Sequence, residues 1–565
     1  NNFATWNKLT TNLTLREGAL NALYQSNDLS TVSTIGAKTG KWYWEIRLNA
    51  STTGICYGIT HEQAHRAWIP ADQSMSVVGG FYGFQNSVSK KANGSGISGN
   101  MPSTSAGSIV MFALDCDNNR LWVGVDGTWM DSGNPGSNSN PTFSGLDPDR
   151  WWFPAIEMRN TSDNITANFG QDSSFAGTET SQGNSDSNGE GDFYYTTPTG
   201  FLTLCNNNLP NPTVVPQENF KVITWTGAGD QEDRSITGVG FKPDLLWTKI
   251  RTQDWYNLVY DSIRGAGANT ELSTNRTFEE GGGDPDRYGY LGSFDDDGFT
   301  GVWSGQNNND YFNRVNNTYV AWNWKAGTAF SNSAGSNGAT IASSGSVNTD
   351  AGFSIVRWDG NSTAPTTQSI GHGLGNTPSL IIVKAYDAVS YGAQNWVVWH
   401  KDFGANENLY IPYISNKVTQ ANIFGGTSAT LPNSNTFSVG YYGEVNYVGY
   451  DYIAYCFADV EGYSKAGSYT GNGSTNGTFV YTGFRPAWIL IRLYDNGGTN
   501  WLIYDNKRDP YNVTDEALLP NSTSGTGGSS NALDMLSNGF KFRSSAGSLN
   551  ANNYNYIYLA FAENP

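Results

Sequence analysis

The chain has 565 residues, with 50 acidic against 32 basic side chains and a net charge of −18. Such a balance repels phosphate backbones and anionic bilayers, so nucleic acid and membrane surfaces are excluded as partners, and no stretch reaches the ~18 apolar residues a membrane-spanning helix needs. Charged residues make up 15% and aromatic residues 14%, with 66 glycines, a mixture that reads as all-β: aromatic strands joined by glycine and asparagine turns. Four scattered cysteines, Cys56, Cys116, Cys205 and Cys456, form no Cys-x-x-Cys pair and read as buried free thiols. The first residues lack the basic start and apolar run of a secretion signal, and the opening Asn1-Asn2 leaves room for an upstream segment.

Residues 1–204 alternate as strands: "GKWYWEIRL", "GICYGIT", "GGFYGF", "SIVMFALDCDNNRLWVGVDGTW", "WWFPAIEM" and "ITANFG". "DCDNN" and "VDGTW" are tight turns between them, because Asp, Asn and Gly tolerate positive φ. After the second strand comes "THEQAH", which holds the pattern His-Glu-x-x-His. On a helix, His61 and His65 would share a face and grip zinc, with Glu62 as general base. Thr60 and Gln63 have the spacing of a capping box, so a short helical turn is expected, and Pro70 ends it within about two turns. A third ligand is missing: the positions three and six beyond His65 are Trp68 and Ala71, and no Glu lies between Glu62 and Glu157. The stretch therefore reads as a polar, aromatic-flanked surface loop. His61, His65, Arg66 and Trp68 are candidate contact residues, joined by Trp129 beside the "VDGTW" turn, where a flat ring can stack on a sugar or fill a partner's pocket. No metal or cofactor is expected, and the chain reads as non-catalytic.

Six elements carry a resemblance over this segment: "GKWYWEI" (40–46), "YGI" (57–59), "VMFALDCDNNRLWVGVDGTW" (110–129), "WFPAI" (152–156), "ANFGQ" (167–171) and "GFLTLC" (200–205). In that order they resemble the SPRY family of β-sandwiches, which implies a SPRY-like sandwich over 1–204. The hydrophilic insert "AGTETSQGNSDSNGEGDF" at 176–193 departs from the pattern and reads as a mobile surface loop. "CNNNLPNPTVVPQEN" at 205–219, with three prolines, marks a semi-rigid boundary.

Beyond it one unit is written three times. Each opens on an alternating strand ("FKVITWTG" at 220, "FSIVRWDG" at 353, "GTFVYTGF" at 477), followed by a proline turn and an apolar strand ("GFKPDLLWTKI", "GLGNTPSLIIVKA", "GFRPAWILIRL"). A Trp-led strand comes next ("WYNLVYDSIRG", "WVVWHKDFG", "WLIYDNKRDP"), and each unit closes on "TYVAWNWKAG", "DYIAYCFADVEG" or "NYIYLAFAENP". From Pro243 to Tyr319, Pro378 to Tyr452 and Pro486 to Tyr556 the distances are 76, 74 and 70 residues, a near-constant period. The expected organisation is three small β-sandwiches in series, 220–327, 353–462 and 463–565. The Gly/Ser/Asn-rich stretch 328–352 reads as a flexible linker, while the second and third units abut closely enough to pack as a pair.

A SPRY-like domain followed by these repeats resembles a class of structural proteins of tailed bacteriophages. The resemblance implies a virion surface component: a tail fibre or adhesin that binds host surface glycans or a neighbouring virion protein, in many copies or as a homo-oligomer. Two other readings stay open, a capsid decoration or head-fibre protein, and an enzyme acting as a polysaccharide depolymerase or as a zinc hydrolase at "HEQAH". The carboxylates of "FDDDGF" and of "DPDR" at 147 and 284 read as turns, since neither carries calcium-loop spacing or an oriented acid and base.

Overall fold

The computed structural model describes residues 2–11, 13–24, 29–50, 55–61, 80–85, 89–93, 95–100, 104–209, 213–229, 231–282, 285–305, 309–362, 366–387, 394–425 and 430–564. The fold is all-β and divides into two compact units, 1–211 and 212–565, with the division inside the proline-rich stretch.

The first unit is two sheets packed face to face. One runs Thr14–Arg16, Asn21–Leu23, Asn164–Asn168, Lys41–Leu48, Ile109–Asp115, Arg120–Val125 and Thr128–Trp129, with Leu202–Thr203 lying parallel against Lys41–Leu48. The other runs Leu29–Val32, Trp152–Met158, Cys56–His61, Tyr82–Gln85, Ser89–Ala92 and Ser95–Asn100. Period-two alternation builds the core: Trp42, Trp44, Ile46 and Leu48 face Tyr57, Ile59, Ile156 and Met158 of the opposite sheet. The outward residue Tyr43 is buried too, in a smaller cluster with Trp122, Phe193 and Phe201. This is where the insert 176–193 departs from the mobile loop expected of it. Asp186 Oδ1 accepts the amides of Asn188 and Glu190, and Asp186 Oδ2 accepts the amide of Thr203 and Nδ2 of Asn208. Glu179 pairs with Arg47 at 2.9 Å, and Phe193 is fully buried. Hydrophilic composition here reflects turns held by side chain to backbone bonds rather than freedom from them.

In the second unit each repeat sets its closing strand between the opening and apolar strands, with the Trp-led strand outside. In the first repeat the order is Phe220–Thr226, Thr318–Trp324, Leu245–Ile250, Leu258–Asp261; in the second it is Phe353–Asp359, Asp451–Phe457, Leu380–Asp387, Val397–His400. The third runs Ser464–Thr470, Asn555–Asn564, Arg485–Leu493, Leu502–Asp505. Its opening strand is therefore not the expected "GTFVYTGF". That segment supplies Phe479–Tyr481, which pairs with Gly539–Phe542 in a second sheet, as Arg234–Thr237 pairs with Gly298–Val302 and Gln368–Gly371 with Thr436–Val439. Tyr469-Thr470-Gly471 and Tyr481-Thr482-Gly483 both imitate the "WTG" and "WDG" of the other openings, and only contacts distinguish them. Tyr469 stacks on Tyr556 as Trp225 does on Tyr319 and Trp358 on Tyr452. A Cβ on Gly471, Gly227 or Gly360 would stand 2.0–2.2 Å from a carbonyl of the turn before the closing strand. In each repeat that turn is fastened to the closing tyrosine: Tyr319, Tyr452 and Tyr556 donate to Asp310, Gly443 and Gly547 and accept from the amides of Arg314, Tyr447 and Ala551.

The repeats are not beads on a string. One face of each repeat's main sheet covers that repeat's own second sheet, and the other joins a common core containing Trp322, Trp324, Tyr455, Phe457, Leu559 and Phe561. Burial on both faces explains why the apolar strands read as unbroken hydrophobic runs. The stretch 328–352 is likewise no flexible linker: Thr328–Asn332 and Ser343–Asn348 form a hairpin that extends the second repeat's sheet. Its small residues answer to space, since a Cβ on Gly345 would lie 1.8 Å from the carbonyl oxygen of Ile355.

Candidate functional site

His61 is the last residue of Cys56–His61, paired across the sheet with Trp152, whose ring it meets edge-on at 5.5 Å. Tyr82 meets the same Trp152 ring at 5.5 Å and Phe143 at 6.0 Å; Lys90 lies over Phe143 at 5.0 Å and pairs with Asp131 at 3.6 Å. This end of the six-stranded sheet is thus an aromatic patch edged by charge, and the backbone bonds of Asp149 to Asp147 beside it hold that carboxyl below its usual range. Glu62, His65, Arg66 and Trp68 lie outside the described residues. Trp129 belongs to the other sheet, half-buried against Tyr43 at 6.4 Å, so it is a partner in the small outer cluster rather than a free platform.

Glu45 went unremarked in the sequence and is the most perturbed carboxyl of the first unit. It is completely buried, and burial pushes its pKa to about 7, although the amides of Tyr194 and Tyr195, the hydroxyl of Tyr43 and Nδ2 of Asn168 all donate to it. A carboxyl near neutrality is a common mark of acid–base chemistry. Here both oxygens are occupied by protein donors and closed to solvent, so Glu45 works as a clamp that draws segment 193–195 onto the sheet. An acidic residue inside an otherwise aromatic strand was the signal for it.

In the second unit the chemistry gathers at the seams between repeats, and it follows one rule three times. Each apolar strand carries a buried cation at the same register against the closing strand: Lys249, Lys384 and Arg492, paired with Val320, Ile453 and Ile557, are at most 1% exposed. Each donates to a carbonyl of its own repeat and reaches one on a neighbour. Lys249 Nζ bonds Trp255 and, in the third repeat, Thr523; Lys384 Nζ bonds Gln394 and, in the first repeat, Thr277. Arg492 bonds Thr499 and, in the second repeat, Ser415 at 2.6 Å. Burial lowers both lysines to about 7 and Arg492 to about 10. The strand pattern "LLWTK", "LIIVK", "WILIR" carried that signal.

The same cyclic order recurs in other bonds. The amides of Thr526, Glu280 and Lys417 donate to the carbonyls of Arg251, Tyr386 and Tyr494. Asn257, Trp396 and Trp501, equivalent in register, donate to Ser522, Ser273 and Tyr410 at 2.8, 2.8 and 3.1 Å. The third repeat reaches the first, the first reaches the second and the second reaches the third, which is a closed head-to-tail ring made within one chain. A fourth contact breaks the equivalence. Tyr455 donates to Asp261, held by Arg264, and Trp322 donates to Asp505, held by Arg508. At the remaining seam the equivalents are His400, Phe403 and Leu559. His400 is fully buried, its Nδ1 accepts the amide of Asp402, and burial lowers its pKa to about 4. These groups hold repeats together through bonds made within the ring.

The chain was compared with curated proteins, solved structures and family models. No curated protein matches the chain. Among solved structures, the SPRY domain of human HERC1 is similar at 12% identity over 29% of this chain and 96% of that chain, with a TM-score of 0.23. The PSpry domain of TRIM65 is similar at 15% identity over 29% and 92%, also at 0.23. SPRY domains are thus among its structural neighbours, and at those identities and that TM-score the likeness says nothing about what either protein binds. Residues 215–565, more than half of the chain and the whole ring of three repeats, match the model of a domain of unknown function, DUF7483, and the chain belongs to that family.

Proposed function

We propose that the protein is a non-catalytic component of a tailed-phage virion exterior, of tail-fibre or adhesin type, with the ring as its rigid body and the first unit as its contact module. The observation that supports this reading most is the use made of buried ionisable groups. Lys249, Lys384, Arg492, Asp261 and Asp505 close seams, and Glu45 clamps a segment, whereas His61, Tyr82 and Lys90 are only partly buried and present the aromatic patch at one end of a sheet. The order of sequence elements, a SPRY-like segment followed by the repeats, supports the virion setting. Many copies on one particle would turn weak contacts with host glycans or a neighbouring virion protein into firm attachment through effective concentration.

Particles of the encoding phage, purified on a gradient, test this by mass spectrometry and by immunogold labelling with antibody against the chain. Label on the tail, together with competition by free protein for adsorption to host cells, is the expected result. Label confined to the head transfers the proposal to capsid decoration. Absence of the chain from intact particles refutes both. Release of oligosaccharides from host capsular polysaccharide by the purified protein would replace the binding reading with an enzymatic one.

A further inference from the structure

The three seams are equivalent in backbone and unequal in side chains. Each is crossed by an arm of the neighbouring repeat: 274–280 ("TNRTFEE"), 411–417 ("IPYISNK") and 520–526 ("PNSTSGT"). Where the first arm crosses, Tyr386 is buried at 5% exposure with Arg264 over its ring, and Arg264 pairs with Glu280 of the arm. Where the second crosses, Lys417 of the arm lies over Tyr494 and Phe403, which meet each other at 5.4 Å. Both seams carry a tyrosine against a long charged side chain. Where the third arm crosses, the tyrosine is replaced by Arg251 and the long arm residue by Thr526, and the end of the arm carries only the small side chains of Ser524-Gly525-Thr526. Gly525 lets the arm lie close, for a Cβ there would stand 2.4 Å from the Arg251 carbonyl.

The result is a cleft of about 450 Å³ lined by Arg251, Thr252, Asp254, Thr318, Glu516, Ser524, Gly525 and Thr526. Arg251 pairs with Glu516 at 2.8 Å, and Asp254 accepts the Gly525 amide at 3.1 Å, so the walls are fixed.

We infer that this cleft binds a neutral, hydroxyl-rich ligand the size of one or two sugar rings. The volume suits a small ligand. Carboxylates of Asp254 and Glu516 accept from hydroxyls, while the Arg251 guanidinium and the Ser524 hydroxyl donate, which is the complement of a diol. One cation against two carboxylates discriminates against acidic sugars. The inference does not depend on where the protein resides, so its failure and that of the virion reading are separable.

Saturation-transfer NMR on the full chain, with glucose, galactose, mannose, N-acetylglucosamine and glucuronate at millimolar concentration, tests it. Transfer to at least one neutral sugar is expected, with glucuronate weaker. Ser524→Phe restores the ring that the first arm carries and fills the cleft from an exposed position; it should abolish transfer while thermal unfolding stays unchanged. Glu516→Gln should weaken binding about tenfold or more, since a charge-assisted acceptor becomes a neutral one. No transfer to any neutral sugar, or transfer that survives Ser524→Phe in the folded protein, overturns the proposal.

Discussion

His400 gives the sharpest test of the ring, because it sits where the other two seams place a buried aspartate. Its imidazole is fully buried, with Asp402 at 3.9 Å and Lys401 and Asp459 nearby, and burial lowers its pKa from the ordinary 6.5 to about 4. The folded state thus favours the neutral ring. The stability that depends on it is complete above pH 6.5, declines as the pH falls from 6.5 towards 4, and is gone below that. At pH 4.5 those two values correspond to a loss of about 2–3 kcal/mol relative to neutral pH. Asparagine in its place keeps an acceptor for the Asp402 amide and cannot titrate. Urea unfolding followed by tryptophan fluorescence at pH 7.5 and pH 4.5 should therefore show His400→Asn losing about 2–3 kcal/mol less than the wild type between the two conditions. His372, also lowered to about 4 by burial, is present in both proteins and cancels from the comparison. Equal losses in the two proteins would refute the reasoning.

Three further outcomes follow from contacts elsewhere. Gly360→Ala sets a Cβ 2.1 Å from the Tyr447 carbonyl and should cost about 3 kcal/mol by thermal unfolding, as such overpacking does. Lys384→Met strips the donor from the carbonyls of Thr277 and Gln394, costing about 2–4 kcal/mol; hydrogen exchange should accelerate in the arm 274–280 and stay slow in the arm 520–526. Glu45→Ala leaves four donors unanswered and should release segment 193–195, so that chymotrypsin cuts at Phe193, Tyr194 or Tyr195 in the variant and not in the wild type.

Much of this protein could be read from its sequence, because the signals involved are local. Alternation in "GKWYWEI" fixes which residues face the core, and glycine, asparagine and aromatic content fixes an all-β chain. The spacing from turn proline to closing tyrosine fixes three copies of one unit. What depended on residues far apart in the chain could not be read this way. Tyr469-Thr470-Gly471 and Tyr481-Thr482-Gly483 are the same motif twelve residues apart, and only stacking on Tyr556 selects the first as the opening strand. Glycine and serine at 328–352 look like flexibility in sequence, yet at Gly345 they answer to a neighbouring carbonyl. A lysine fifth in an apolar strand is visible to any reader; that it reaches into the next repeat, and that three such reaches close a ring, depends on where the carbonyls of Thr277, Ser415 and Thr523 lie. Composition and period determine which elements form. The tertiary structure alone decides which elements meet, because a buried charge or a missing side chain takes its meaning from the group brought against it.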